Sequence, residues 1–228
     1  TVLKGLKAIS PETNYNFLDL GWNVRLLSDN QIKEAVQQAR SSDLAILVVG
    51  ENSMRYHWNE KTCGENSDRY ELSLPGRQQE LVEAVAATGV PTVVILVNGR
   101  PLTTEWIDEN MPCIIEAWEP GVAGGQALAE ILYGKVNPSG KLPITIPRST
   151  GQIQCMYNHK FTNHWFPYAT GNSLPLYEFG YGLSYTTYKY ENLKLSEATI
   201  TPDKSVKVTV DVTNTGKMDG EETVQLYI

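Results

Sequence analysis

Directly after the apolar run LAILVV the chain reads GENSMRYHWNEKTCGENSDR, from Gly50 to Arg69, a segment crowded with groups able to do chemistry. It carries three glutamates, Glu51, Glu60 and Glu65, the aromatics Tyr56, His57 and Trp58, and the pair Asp68-Arg69. A strand-to-helix connection needs only a few residues, so a loop of this length and polarity points to a role beyond connection. Carboxyl groups can donate or accept a proton, and aromatic neighbours can stack on a sugar ring or raise a carboxyl pKa by excluding water. On residue type alone each glutamate is as readily a solvated surface charge, and the aromatics as readily anchor the loop to the body of the protein. Cys63 lies in the same loop, but no His-Asn partnership around it makes a nucleophile.

Other polar groupings carry less. Gly121-Val122-Ala123-Gly124-Gly125 precedes a helical pattern, yet its spacing matches neither a Walker loop nor the dinucleotide fingerprint, so a structural turn is the better reading. His159 and His164, with Asn158 and Asn163, have no carboxylate at ligand spacing, and neither a metal nor a cofactor is expected. The odd set Cys63, Cys113 and Cys155 specifies no disulfide framework, and Cys113, opening an apolar run, reads as a small core residue. Trp118 at a strand end reads as a packing residue.

The elements that must position the loop are legible around it. Ser28 can cap a helix with Gln31 three residues on, and Ile32, Ala35, Val36 and Ala39 mark one apolar face at helical spacing. A strand over Leu44 to Val49 follows. Pro75 suits the first turn of a second helix with Leu81, Val82, Val85 and Ala86 inward, and Gly89 ends it. Thr92 to Val97 is apolar without alternation, as in a strand buried on both faces. Cys113 to Trp118 predicts a third strand, Gln126 to Leu132 a helix, and Leu142 to Ile146, with Pro143 and Pro147, an edge strand. This alternation predicts an α/β fold: an open, mostly parallel sheet with helices on both faces, over residues 1–147. Ligands of such sheets bind beyond the carboxyl ends of the strands, where the Gly50 loop, Asn98-Gly99-Arg100-Pro101 and Glu119-Pro120-Gly121 all start.

Residues 148–192 are rich in Tyr, Asn, Gly and Pro and read as an irregular, aromatic-packed connection. From residue 193 to 228 the pattern alternates, with Val206, Val208, Val210 and Val212 on one side, and a further strand is expected from Thr223. Too few strands are present to close a β-sandwich, and with no initiator Met the chain reads as a fragment.

At 228 residues and 41% apolar content the chain can build a normal core. Its net charge of −7, without a Lys/Arg cluster, argues against nucleic acid and anionic membranes as partners and favours a neutral substrate. No apolar run approaches the roughly 20 residues of a spanning helix, and the first residues lack a signal-peptide core.

The runs LAILVVGEN, GENSDRYELSLPGRQQELVEAVAATGVPTVVILVNGRP, IIEAWEPGVAGGQALAEILYGKVNPSGKLPITIPRSTGQI and LPLYEFGYGLSYTTY closely resemble the C-terminal portion of glycoside hydrolase family 3, the family of β-glucosidases and β-xylosidases. The resemblance runs from about Asn30 to the end and implies an α/β-sandwich domain followed by the start of a fibronectin type III-like domain. It implies a retaining glycosidase acting on terminal β-linked glucose or xylose, with the aspartate nucleophile on an N-terminal (β/α)8 barrel and the acid/base carboxyl on a mobile loop of this domain. The register Glu65-x-x-Asp68-Arg69 matches the family's acid/base position, making Glu65 the first candidate. Asn59-Glu60-Lys61 and Gly50-Glu51 match the patterns of other branches and rank Glu60 next and Glu51 last. Trp58, His57 and Arg69 are candidates for sugar contact, although Asp68-Arg69 also reads as a salt bridge that shapes the loop. The resemblance further implies a secreted or periplasmic parent protein and an isolated chain without activity. The competing expectation is a non-catalytic carbohydrate-binding or assembly module on the same scaffold.

Overall fold

A computed structural model of the chain describes residues 1–53, 57–152, 154–158 and 168–228. Tyr56, His159, Asn163 and His164 lie outside the described residues.

The sheet is parallel and ordered β1-β2-β3, with β1 at Ala45–Gly50, β2 at Thr92–Val97 and β3 at Cys113–Glu116. The central strand β2 accounts for its unbroken apolar run, because its side chains alternate between two cores. Val94 and Leu96 face α2 (Asp29–Arg40) and α3 (Gln78–Ala86), packing with Ile32, Ala35, Ala39, Leu81, Val82 and Val85. Val93 and Ile95 face the other way, against Leu128 of α5 (Gly124–Leu132), with Val2 of α1 (Val2–Ile9) beside them. The chain is thus an α/β domain with helices on both faces of a parallel sheet, followed by an antiparallel strand pair, β4 at Tyr188–Leu195 and β5 at Val208–Asn214.

Local chemistry explains the individual elements. The capping box at α2 is formed in both directions, with the Ser28 hydroxyl accepting from the Gln31 backbone and the Gln31 side chain accepting from the Ser28 backbone. Helices α1 and α5 approach so closely that a Cβ on Gly5 would lie 2.0 Å from the Gly125 carbonyl oxygen, so only glycine fits there. A short helix, α4, spans Glu105–Asn110 before β3.

Several sequence expectations need correction. Helix α3 begins at Gln78, with Pro75 in the turn before it rather than in its first turn. Strand β3 ends at Glu116, because Trp118 takes a left-handed φ of 50° that no strand can continue. Leu142 to Ile146 forms no strand: Pro143 and Pro147 offer no donors, and among the described residues the pairing is an antiparallel bridge, Ile146 to Tyr177, with bonds between Leu142 and residues 180 and 181. Residues 223 to 228 carry no strand either. Cys113 is exposed, since β3 is an edge strand with one outward end. Strand β4 starts at Tyr188, ahead of the alternation read from residue 193.

Candidate functional site

The parallel register pairs Gly50 with Val97, which brings the two following turns side by side beyond the sheet. Gly50 sits at a φ of 140°, and a Cβ there would lie 2.0 Å from the Val97 carbonyl oxygen. The buried amide of Gln78 clamps the junction, accepting from the Gly50 N–H at 2.8 Å and donating to the Gly50 carbonyl at 2.7 Å. One side chain of α3 therefore satisfies both backbone groups at the point where the strand becomes the loop.

Glu51 comes next, and its side chain is fully buried. Its Oε1 lies 3.1 Å from Nη1 of Arg69 at the far end of the loop, and its Oε2 lies 3.3 Å from Nε of Arg100 in the turn after β2. A carboxylate stripped of water requires such pairing to stay ionised. Arg69 is therefore engaged by Glu51 and not by its neighbour Asp68.

Beyond Glu51 the loop narrows to a neck. Asn52 O accepts from the N–H groups of Thr62 and Cys63 at 2.9 and 3.1 Å, and the Asn52 N–H donates to the Thr62 hydroxyl at 2.9 Å. The neck divides the loop into two lobes, and the two remaining glutamates fall on different ones.

The first lobe carries His57, Trp58 and Glu60. A helical turn forms as the Glu60 N–H donates to His57 O at 2.9 Å, and Glu60 Oε2 lies 3.9 Å from His57 Nδ1. This lobe leans on the segment before α2: the His57 ring stacks on Trp22 at 4.4 Å between centroids, and Arg25 Nη2 donates to Asn59 O at 2.7 Å. Trp58 is 58% exposed, with Lys61 Nζ 4.0 Å over its ring.

The second lobe carries Glu65. Ser67 N–H donates to Gly64 O at 3.2 Å, closing a turn in which Asn66, with φ of 54°, takes the third position that favours Gly or Asn. Glu65 occupies the second position, exposed at the tip. Arg100 holds the base of this turn, Nη2 donating to Ser67 O at 2.7 Å and reaching Thr62 O at 3.4 Å. Lys61 Nζ donates to Glu65 O and so ties the lobes together.

The third rim segment closes the floor. Asn98, 1% exposed, donates through Nδ2 to Arg100 O at 2.8 Å and to Glu116 Oε2 at 3.2 Å, while the Trp118 N–H donates to Glu116 Oε1 at 3.0 Å. Burial pushes the Glu116 carboxyl up to about 7, outweighing those two donors, which favour its ionised form. Cys63 is buried with its Sγ 3.6 Å from Glu119 Oε1, and burial, together with Glu51 and Glu119, pushes its thiol up to about 11. That thiol stays protonated at neutral pH, the opposite of an activated nucleophile.

All three loops predicted to meet at one rim do so. Trp22, Arg25, Gln78 and Glu116 were not singled out from the sequence, and Arg100 was visible there as a member of the turn after an apolar strand. Among the described residues no group of three His, Cys, Asp or Glu side chains is placed to hold a metal.

Residues 1–185 match the model of the glycosyl hydrolase family 3 C-terminal domain. The chain belongs to that family. A β-xylosidase of Formosa agariphila is 41% identical over 232 residues, covering 100% of the chain but 31% of the relative. A periplasmic β-glucosidase of Salmonella typhimurium is 42% identical over 210 residues, covering 86% of the chain and 26% of the relative. Among solved structures, a β-glucosidase of Listeria innocua in complex with isofagomine has a TM-score of 0.81 at 28% identity, covering 96% of the chain and 30% of that structure. This family 3 domain therefore spans about a third or less of the relatives it matches.

Proposed function

We propose that the chain is the second domain of a retaining β-glycosidase that removes terminal β-linked glucose or xylose. In this reading Glu65 serves as the general acid/base, and the attacking aspartate belongs to an N-terminal barrel of the same protein. Retention requires two carboxyl groups about 5 Å apart, one protonating the leaving oxygen while the other attacks the anomeric carbon.

The observation that carries the reading is the contrast among the three glutamates. Glu51 is sealed between two arginines, with no face left for substrate. Glu65 projects from the tip of a pinned turn, open to a surface placed against the rim. Glu60, partly exposed beside His57, is the second choice and Glu51 the last. Among the sugar-contact candidates Trp58 offers exposed ring area on the face away from Lys61, one face of His57 is covered by Trp22, and Arg69 is held by Glu51. The similarity to a periplasmic relative supports a periplasmic or secreted location for the parent.

The test is made in the full-length parent enzyme. Glu65→Gln should cut kcat/KM on an alkyl β-glucoside by roughly 100-fold or more, while a dinitrophenyl β-glucoside, whose leaving group needs no proton, should suffer far less. The same selective loss in Glu60→Gln, with Glu65→Gln unaffected, would transfer the role to Glu60.

A further inference from the structure

We propose that Arg100 is the positioning residue of the acid/base lobe, setting the place of Glu65 from outside the loop. The inference rests on the reading of Glu65 as acid/base and adds the element that aims it.

The 64–67 turn is short and has little core of its own, and Asn66 holds a left-handed conformation that most residues avoid. Something outside the turn must fix it. Among the described residues Arg100 is the one side chain that reaches the neck, the turn and the buried carboxylate together, through Thr62 O, Ser67 O and Glu51 Oε2. Its planar fork lets Nη2 donate to the two carbonyls while Nε lies beside the Glu51 carboxylate, an arrangement an ammonium cannot copy. It is also rooted in the sheet, because Asn98 grips its backbone carbonyl and the Asn98 N–H donates to Trp118 O at 3.3 Å. Strand β2 is thereby joined to the base of the Glu65 turn through one residue. The other lobe leans instead on Trp22 and Arg25, so the two glutamates have different anchors outside the loop, with the Lys61 bond to Glu65 O linking the lobes.

The experiment uses Arg100→Lys in the full-length enzyme, a variant that keeps the charge beside Glu51, with Arg25→Lys as the control on the other lobe. Arg100→Lys should lower kcat/KM on an alkyl β-glucoside by roughly 10- to 100-fold, because small misplacements of a reacting group have effects of that size. The dinitrophenyl glucoside should change by less than about 3-fold, since its departure needs no proton. Amide exchange of residues 64–67 should quicken while that of 57–61 stays as it was. Arg25→Lys should leave the ratio between the two substrates unchanged.

Equal losses on both substrates, or no change in exchange of the 64–67 amides, would overturn the role of Arg100. Glu65→Gln run in parallel tests the underlying reading. If it lowers alkyl glucoside turnover while Arg100→Lys does not, only the positioning role falls. If it has no effect and Arg25→Lys shifts the substrate ratio, the acid lies on the other lobe and both claims fall.

Discussion

The carboxylate of Glu51 meets the guanidinium of Arg69 at 3.1 Å across 18 positions of sequence, so the active-loop candidate is closed at its base by a buried ion pair. With Arg100 on its other oxygen, Glu51 acts as the pin of the rim. A loop that presents a group to substrate needs a rigid root, and here the root is charged.

Removing that charge leaves two guanidinium groups facing each other with no anion between them. Glu51→Gln should lower the stability of the domain by about 2–4 kcal/mol, somewhat under the usual cost of breaking a buried pair because both arginines keep some access to water. Urea unfolding of the purified chain measures this, and a loss of under about 0.5 kcal/mol would show that the pin carries little of the structure.

The Gln78 amide answers for both backbone groups of Gly50 and also donates to Pro75 O at 3.1 Å. Replacing it with Leu, close in volume, strands these buried groups at a cost of roughly 2–4 kcal/mol. Unfolding midpoints give the stability, and amide exchange at Gly50 and Glu51 should quicken more than exchange in β2.

Glu116 gives a pH dependence with a defined sign. Its folded pKa, pushed up to about 7, lies above the value of about 4.3 expected in the unfolded chain, so folding favours the protonated form. Its contribution is fully present below about pH 4 and is lost as pH rises through 7, a change on the order of 1–3 kcal/mol. In Glu116→Gln the unfolding free energy should lack that decline between about pH 4 and 7. A pH profile unchanged by the substitution would show that the carboxyl is not held neutral.

The purified chain should not turn over aryl β-glucosides or β-xylosides, since the proposed nucleophile lies on another domain. Release of p-nitrophenol above the rate of a Glu65→Gln, Glu60→Gln double variant would contradict the two-domain reading. Sugar binding that is indifferent to all three glutamates would favour a carbohydrate-binding module instead.

The architecture around the site is legible in short-range patterns of residues. The Ser28/Gln31 box, the helical spacing of Leu81, Val82 and Val85, and the unalternating run of Thr92 to Val97 each encode their element within a few residues. The family motifs lie in those same contiguous runs, and the overlong loop between Gly50 and Arg69 was visible by its length alone. Which glutamate is sealed and which is exposed follows from contacts made in the folded chain. That outcome depends on the pairing of Gly50 with Val97, which carries Arg100 beside Glu51, and on Trp22 coming to rest against His57. Burial of a charged side chain depends on partners distant in sequence, and no local pattern of residue types records them.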